Sequence, residues 1–216
     1  MSRSTDRLLF CRTPLLGALA MIVPIVLAAG VLAGCSLGTP AAVANIRYDL
    51  GPVTPAASPG PLPPFKVLDV GAPQMLNSDG LLYRLSYADS QRTATYANSH
   101  WTMPPAQLLT QRLRAALSSH GTVLTGGDGV HAPMLKVDLE EFEQVFDGES
   151  ESHGALTARA TLMLDGKVLG QRTFVARAPA STADAAGGAR ALAAASDDFV
   201  SQLVVWLGMT PIVAAK

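Results

Sequence analysis

The sequence predicts an α/β (α+β) sandwich, a mixed and largely antiparallel sheet with two main helices packed on one face. Three observations lead there. Several runs alternate apolar and polar side chains with period two, and two longer stretches carry apolar stripes at helical spacing. Between two of the alternating runs stands Asp165-Gly166, the pair that most strongly signals a tight hairpin.

The chain has 216 residues, 49% hydrophobic and 15% charged, with a formal net charge of −1. A soluble domain averages about 25% charged residues. The deficit is concentrated in residues 1–34, where only Arg3, Asp6, Arg7 and Arg12 carry charge. Residues 35–216 hold 13 basic and 16 acidic side chains. With no Lys/Arg excess for phosphate contacts, nucleic acid is excluded as the expected partner. Only one apolar run reaches bilayer length, so a polytopic membrane protein is excluded too. Two cysteines make neither a disulfide scaffold nor a zinc cluster.

Residues 1–12 form a positive start, and residues 15–34 contain no charge. Three readings compete for such a segment: a permanent anchor, a secretory signal, or a lipoprotein signal. Pro24 weakens a spanning helix, and the small residues at the end of the run suit a peptidase. Leu32-Ala33-Gly34-Cys35 resembles the bacterial lipobox, in which Cys35 carries the lipid. The favoured division is therefore a lipoprotein signal peptide at 1–34, a lipidated tether at 35–45, and one folded domain at 46–216. Cys11 leaves with the leader, so Cys35 is the one mature thiol. Two or three acyl chains, at about 0.8 kcal/mol per buried methylene, hold a protein on a membrane.

Seven prolines between residues 39 and 64 keep that stretch extended. Within it, Ile46, Tyr48 and Leu50 alternate as in a short strand, and a Pro-rich loop follows at 52–64. The competing reading makes everything up to residue 64 a linker. Phe65–Val70, Leu81–Tyr87 and Thr95–Asn98 are expected strands. Thr102-Met103-Pro104-Pro105 opens a helix whose stripe is Leu109, Leu113, Ala116 and Leu117, with Gln107, Gln111, Arg112 and Arg114 off the stripe and Gly121 at its end. Pro133–Phe146 is a strand with a phase change: Leu135, Val137 and Leu139 share one face, while Phe142 and Phe146 fall on the other. A bulge near Glu140-Glu141 brings both sets together. Ala155–Leu164 and Lys167–Ala176 flank the Asp-Gly turn. The last helix is expected from Ala183 to Leu207, with Ser181-x-x-Asp184 as its start and Leu192, Ser196, Phe199, Leu203 and Trp206 as its stripe.

Chemistry-bearing motifs are scarce. His100, His120, His131 and His153 have no metal-ligand spacing, and no nucleophile elbow, phosphate loop or dinucleotide fingerprint occurs. No cofactor and no metal is expected. The acidic run Asp138, Glu140, Glu141, Glu143, Asp147, Glu149 and Glu151 is expected on a wet strand face. Tyr83, Tyr87, Tyr96 and Trp101 cluster ahead of the first helix. Two readings fit them: packing on the sheet, or a partner surface, where Tyr and Trp are enriched.

The motif L-x-Y-R-x-x-Y at 81–87 is followed by Tyr96-Ala97-Asn98-Ser99-His100-Trp101 and Pro104-Pro105-Ala106-Gln107-Leu108-Leu109. With Tyr48-Asp49-Leu50-Gly51, the strand Leu135–Gln144 and an alanine-rich last helix bearing Trp206, this resembles the ABC-type transport auxiliary lipoprotein component family, whose relatives include the paraquat-inducible PqiC-like lipoproteins. The Pro-rich insert at 52–64 departs from that pattern. The resemblance implies a non-enzymatic lipoprotein on the periplasmic face of the outer membrane. It implies a partner, the MCE-domain protein that bridges the periplasm in a transport system for lipids or hydrophobic compounds, and it admits a homo-oligomer. Ser36 after the cysteine fits outer-membrane sorting of lipoproteins. Two other functions compete: a carrier that itself holds a lipid, and a hydrolase using Glu141 or His153.

Overall fold

The computed structural model describes residues 44–53 and 60–210. The leader 1–34, the Leu32-Ala33-Gly34-Cys35 motif, the tether up to residue 43 and the middle of the Pro-rich loop lie outside the described residues. In chain order the elements are β1 (Ile46–Tyr48), β2 (Phe65–Val67), a 3₁₀ turn (Gln74–Asn77), β3 (Gly80–Leu85), β4 (Thr93–Trp101), α1 (Pro105–Ser118), β5 (Val123–Leu124), β6 (Met134–Phe146), β7 (Ser152–Leu164), β8 (Lys167–Pro179) and α2 (Ala185–Met209).

The three longest alternating runs make one side of the sheet, from β6 out to the edge strand β8. β6, β7 and β8 form an antiparallel meander, and the β7–β8 turn has Asp165 at φ 52° and Gly166 at φ 75°, as the Asp-Gly pair requires. In β6 the ladder shifts between Leu139, opposite Ala158, and Glu141, opposite Thr157. The extra residue is Glu140, and it brings Leu135, Val137, Leu139 and Phe142 to one buried face.

The other edge of β6 is shared. Its N-terminal half pairs in parallel with β2, which continues to β5; its C-terminal end pairs in parallel with β3, which continues through β4 to β1. Between the two, Gly71 makes a single bridge to Asp138 before the 3₁₀ turn leaves the sheet. The sheet is therefore mixed and open, with its longest ladders antiparallel. The expected mixed sheet is present, but which strands pair in parallel, β5 and the 3₁₀ turn have no counterpart in the sequence reading. The segment around Ile46 is strand β1, not linker.

Both helices pack on one face. Pro105 opens α1 at a position where its missing N–H has no helical partner. The helix stops at Ser118, short of Gly121. In α2, Leu192, Ser196, Phe199 and Leu203 are fully buried along one stripe, and each large apolar side chain contributes roughly 1.5–3 kcal/mol by leaving water. Its start differs from the expected one: Asp184 is itself the N-cap, its carboxylate accepting from the Gly187 N–H at 2.7 Å and from the Thr182 hydroxyl. Arg112 is also corrected, from an off-stripe position to the core. Its guanidinium donates to Asp197 on α2 at 2.7 Å and to the Leu50 carbonyl at 2.9 Å, joining both helices to the segment after β1. Among the described residues no helix is long and apolar enough to cross a membrane.

Candidate functional site

The register of β3, β4 and β6 assembles the aromatic residues. Tyr83 lies between Ala94 on β4 and Gln144 on β6. Two residues further along each partner strand, on the same face, stand Tyr96 and Phe146. The Tyr83 ring meets Tyr96 at 4.7 Å between centroids and Phe146 edge-on at 6.1 Å, geometries favourable for aromatic pairs.

Beneath them runs a chain of hydrogen bonds. The Tyr96 hydroxyl donates to Gln144 Oε1 at 2.9 Å, and Gln144 Nε2 donates to Ser152 Oγ at 2.8 Å. Gln144 is wholly buried, so its amide needs both partners. Room for it exists because residue 188 on α2 is glycine: a Cβ there would collide with the Gln144 amide. Burial, with Tyr83 and Asp184 nearby, pushes the Tyr96 phenol up to about 12, so it stays a donor throughout the physiological range. Gln144, Phe146 and Ser152 were not among the sequence candidates. The one signal was the phase of Phe146, which places it beside Tyr83 only once the bulge is known.

Tyr87 sits beyond β3 and is 49% exposed; Leu85 is 37% exposed. Tyr83 and Leu85, with Ala88, Asp89, Arg92 and Ala94, line a cleft of about 150 Å³. An aromatic and aliphatic ledge with a charged rim is the composition of a protein-recognition patch. Trp101 does not belong to it. Its side chain is fully buried and packs on Phe142 at 5.5 Å, and its indole N–H has no partner among the described residues. The sequence cluster thus divides into Tyr83, Tyr87 and Tyr96 at the ledge and Trp101 in the core.

Most of the acidic run is dispersed into pairs. Glu140 binds Arg159, Glu141 accepts from Thr157, and Asp147 meets His153 at 2.7 Å. Glu143 is the exception to the wet-face expectation: it is buried and takes Arg84 Nε at 2.8 Å, with burial holding its carboxyl above the ordinary glutamate value against the pull of that guanidinium. Glu141 and His153 lie opposite Thr157 and Val145, about 13 Å apart along the ladder, too far to act on one substrate bond. Of the other histidines, His120 is buried at the end of α1 rather than solvated, and His131 is held by Asp165 at 2.6 Å. Arg84 and Glu143 border a second hollow of about 350 Å³ where β2 and β3 diverge, floored by Leu76 and Leu82.

An open mixed sheet backed by two helices defines the class of α/β folds to which this body belongs. The chain belongs to the ABC-type transport auxiliary lipoprotein component family, whose model matches residues 48–204. A crystal structure of a Xanthomonas campestris protein of family DUF330 is similar, with a TM-score of 0.65 at 22% identity, covering 76% of this chain and 94% of that one. A second crystal structure, of an uncharacterised protein, is similar with a TM-score of 0.62 at 19% identity, covering 76% and 99%. At such identities the likeness is one of fold. No curated protein matches this chain significantly.

Proposed function

We propose that this protein is a non-enzymatic, lipid-anchored adaptor. Through Cys35 it is held on the periplasmic face of the outer membrane, and through its aromatic ledge it docks the MCE-domain component of an ABC-type transport system for lipids or hydrophobic compounds. The observation that carries the reading is the ledge of half-buried Tyr83 and exposed Leu85 and Tyr87, on a body whose family serves transport as an auxiliary component. An exposed tyrosine beside a small apolar cleft supplies contact area at low entropic cost.

A carrier of lipid is the second reading, and the 350 Å³ hollow with its apolar floor is the observation in its favour. What supports the adaptor over it is that the hollow lies open to solvent and at the small end of the range of about 300–1,000 Å³ for pockets that bury most of a drug-sized ligand.

The test is a photo-crosslinking residue placed at Ala88, on the rim of the cleft, in the full-length protein in cells. The expected adduct is an MCE-domain protein, lost in the double variant Leu85→Ala/Tyr87→Ala while the melting temperature is unchanged. Crosslinks to lipid alone, or an MCE adduct indifferent to the double variant, would overturn the reading.

A further inference from the structure

Three strands, β3, β6 and β7, lie between β4 and β8 in the sheet, and the outer side of β8 is open among the described residues. Over its 13 residues it pairs with β7 from Lys167, opposite Leu164, to Pro179, opposite His153. Among the described residues no second strand joins it. The backbone parity is fixed by two contacts. The Ala180 N–H donates to Ser152 on β7, whereas the Val175 carbonyl is reached at 3.5 Å by Gln202 Nε2 from α2. Peptide groups alternate along an antiparallel strand, so residues 173, 175 and 177 turn theirs away from β7. Such an edge is a template for another strand.

The charges on β8 are all of one sign. It carries Lys167, Arg172 and Arg177 and no acid. None of the three forms an ion pair among the described residues; Arg172 lies over the Phe174 ring at 5.1 Å. On β7, by contrast, Arg159 is neutralised by Glu140. The acid facing this edge from α2 is Asp198, which binds Gln202. Val168 and Val175 add exposed apolar surface, at 60% and 53%.

Cations along an edge are a common guard against unwanted pairing, but a guard of one sign is selective. A second copy laid against β8 would set cation against cation, which is destabilising across strands. A strand rich in Asp and Glu would meet complementary charge at the same positions. We infer that the outer edge of β8 is a docking site for an extended, acidic segment of another polypeptide, which joins the sheet as an additional strand and displaces the long Gln202 contact.

The experiment uses the full-length protein in detergent and three labelled peptides as long as β8. One alternates Glu with Thr, one alternates Lys with Thr, and one alternates Glu with Pro, which cannot donate to the ladder. The Glu-Thr peptide should bind, should slow amide exchange at Thr173, Val175 and Arg177, and should bind roughly tenfold more weakly when salt is raised to shorten the screening length. The Glu-Pro peptide should not bind. Arg172→Glu/Arg177→Glu should reverse the preference towards the Lys-Thr peptide. Val175→Pro removes an N–H that β7 does not use, and it should abolish binding of either peptide. If that variant unfolds, the charge reversal and the exchange pattern decide. Equal binding of the Glu and Lys peptides, binding without protection of those three amides, or their protection by self-association in the absence of peptide would overturn the proposal.

Discussion

Arg112 joins three parts of the chain at one guanidinium. Its donors serve Asp197 on α2 and the carbonyls of Leu50, Gly51 and Pro52, so it fixes both the helix pair and the strap that follows β1. Its side chain is 3% exposed, and removing one member of a buried pair strands the other. Arg112→Met keeps the aliphatic stem and should cost roughly 3 kcal/mol in urea unfolding. Glu143 makes a different prediction. Because burial holds its carboxyl above the ordinary value, the folded protein keeps a proton there at a pH where the unfolded chain has lost it. Wild-type stability should therefore fall relative to Glu143→Gln as pH rises through the window above the ordinary glutamate value, and the difference should be constant below it. Parallel urea titrations of the two proteins across that range would check the sign. Neither residue was legible as special. Arg112 stands off an apolar stripe and Glu143 within an acidic run, and only the packing of a second element over each takes it out of water.

At the scale of elements, the bulge at Glu140 decides which face of β6 is core. Deleting Glu140 removes the extra residue, so Phe142, Gln144 and Phe146 turn to the opposite face. The expected result is loss of cooperative thermal unfolding. Glu140→Ala keeps the residue count and gives up only an exposed pair with Arg159, so it should change stability by less than about 1 kcal/mol. If the deletion variant melts like the wild type, the bulge is not what sets the register. Both the bulge and the β7–β8 turn were legible, because each is written in consecutive residues: a phase slip in one, an Asp-Gly pair in the other. The 3₁₀ turn and β5 were not. They are short, and each depends on a distant segment: β5 pairs only with β2, and the 3₁₀ turn follows the single bridge of Gly71 to Asp138 on β6.

For the whole molecule, the expectation rests on Cys35, which lies outside the described residues. Cys35→Ser should accumulate as an unprocessed precursor that takes up no labelled fatty acid, read by mobility shift and acyl labelling. Normal labelling of that variant would remove the anchor from the account. Membership of the transport-auxiliary family does not itself choose between the membranes, so fractionation of the native protein is the measurement that places it.

The sequence alone determined the class of fold, the two helices, the hairpin and the bulge, because side-chain periodicity and turn chemistry act between neighbours in the chain. It also carried the motifs of the family. The tertiary structure alone decided which edges of the sheet meet, that Trp101 is core while Tyr87 is surface, and that among the described residues β8 is left open with three cations in no ion pair. Those outcomes depend on which distant segment covers each side chain, and burial is a property of the assembled chain rather than of any stretch within it.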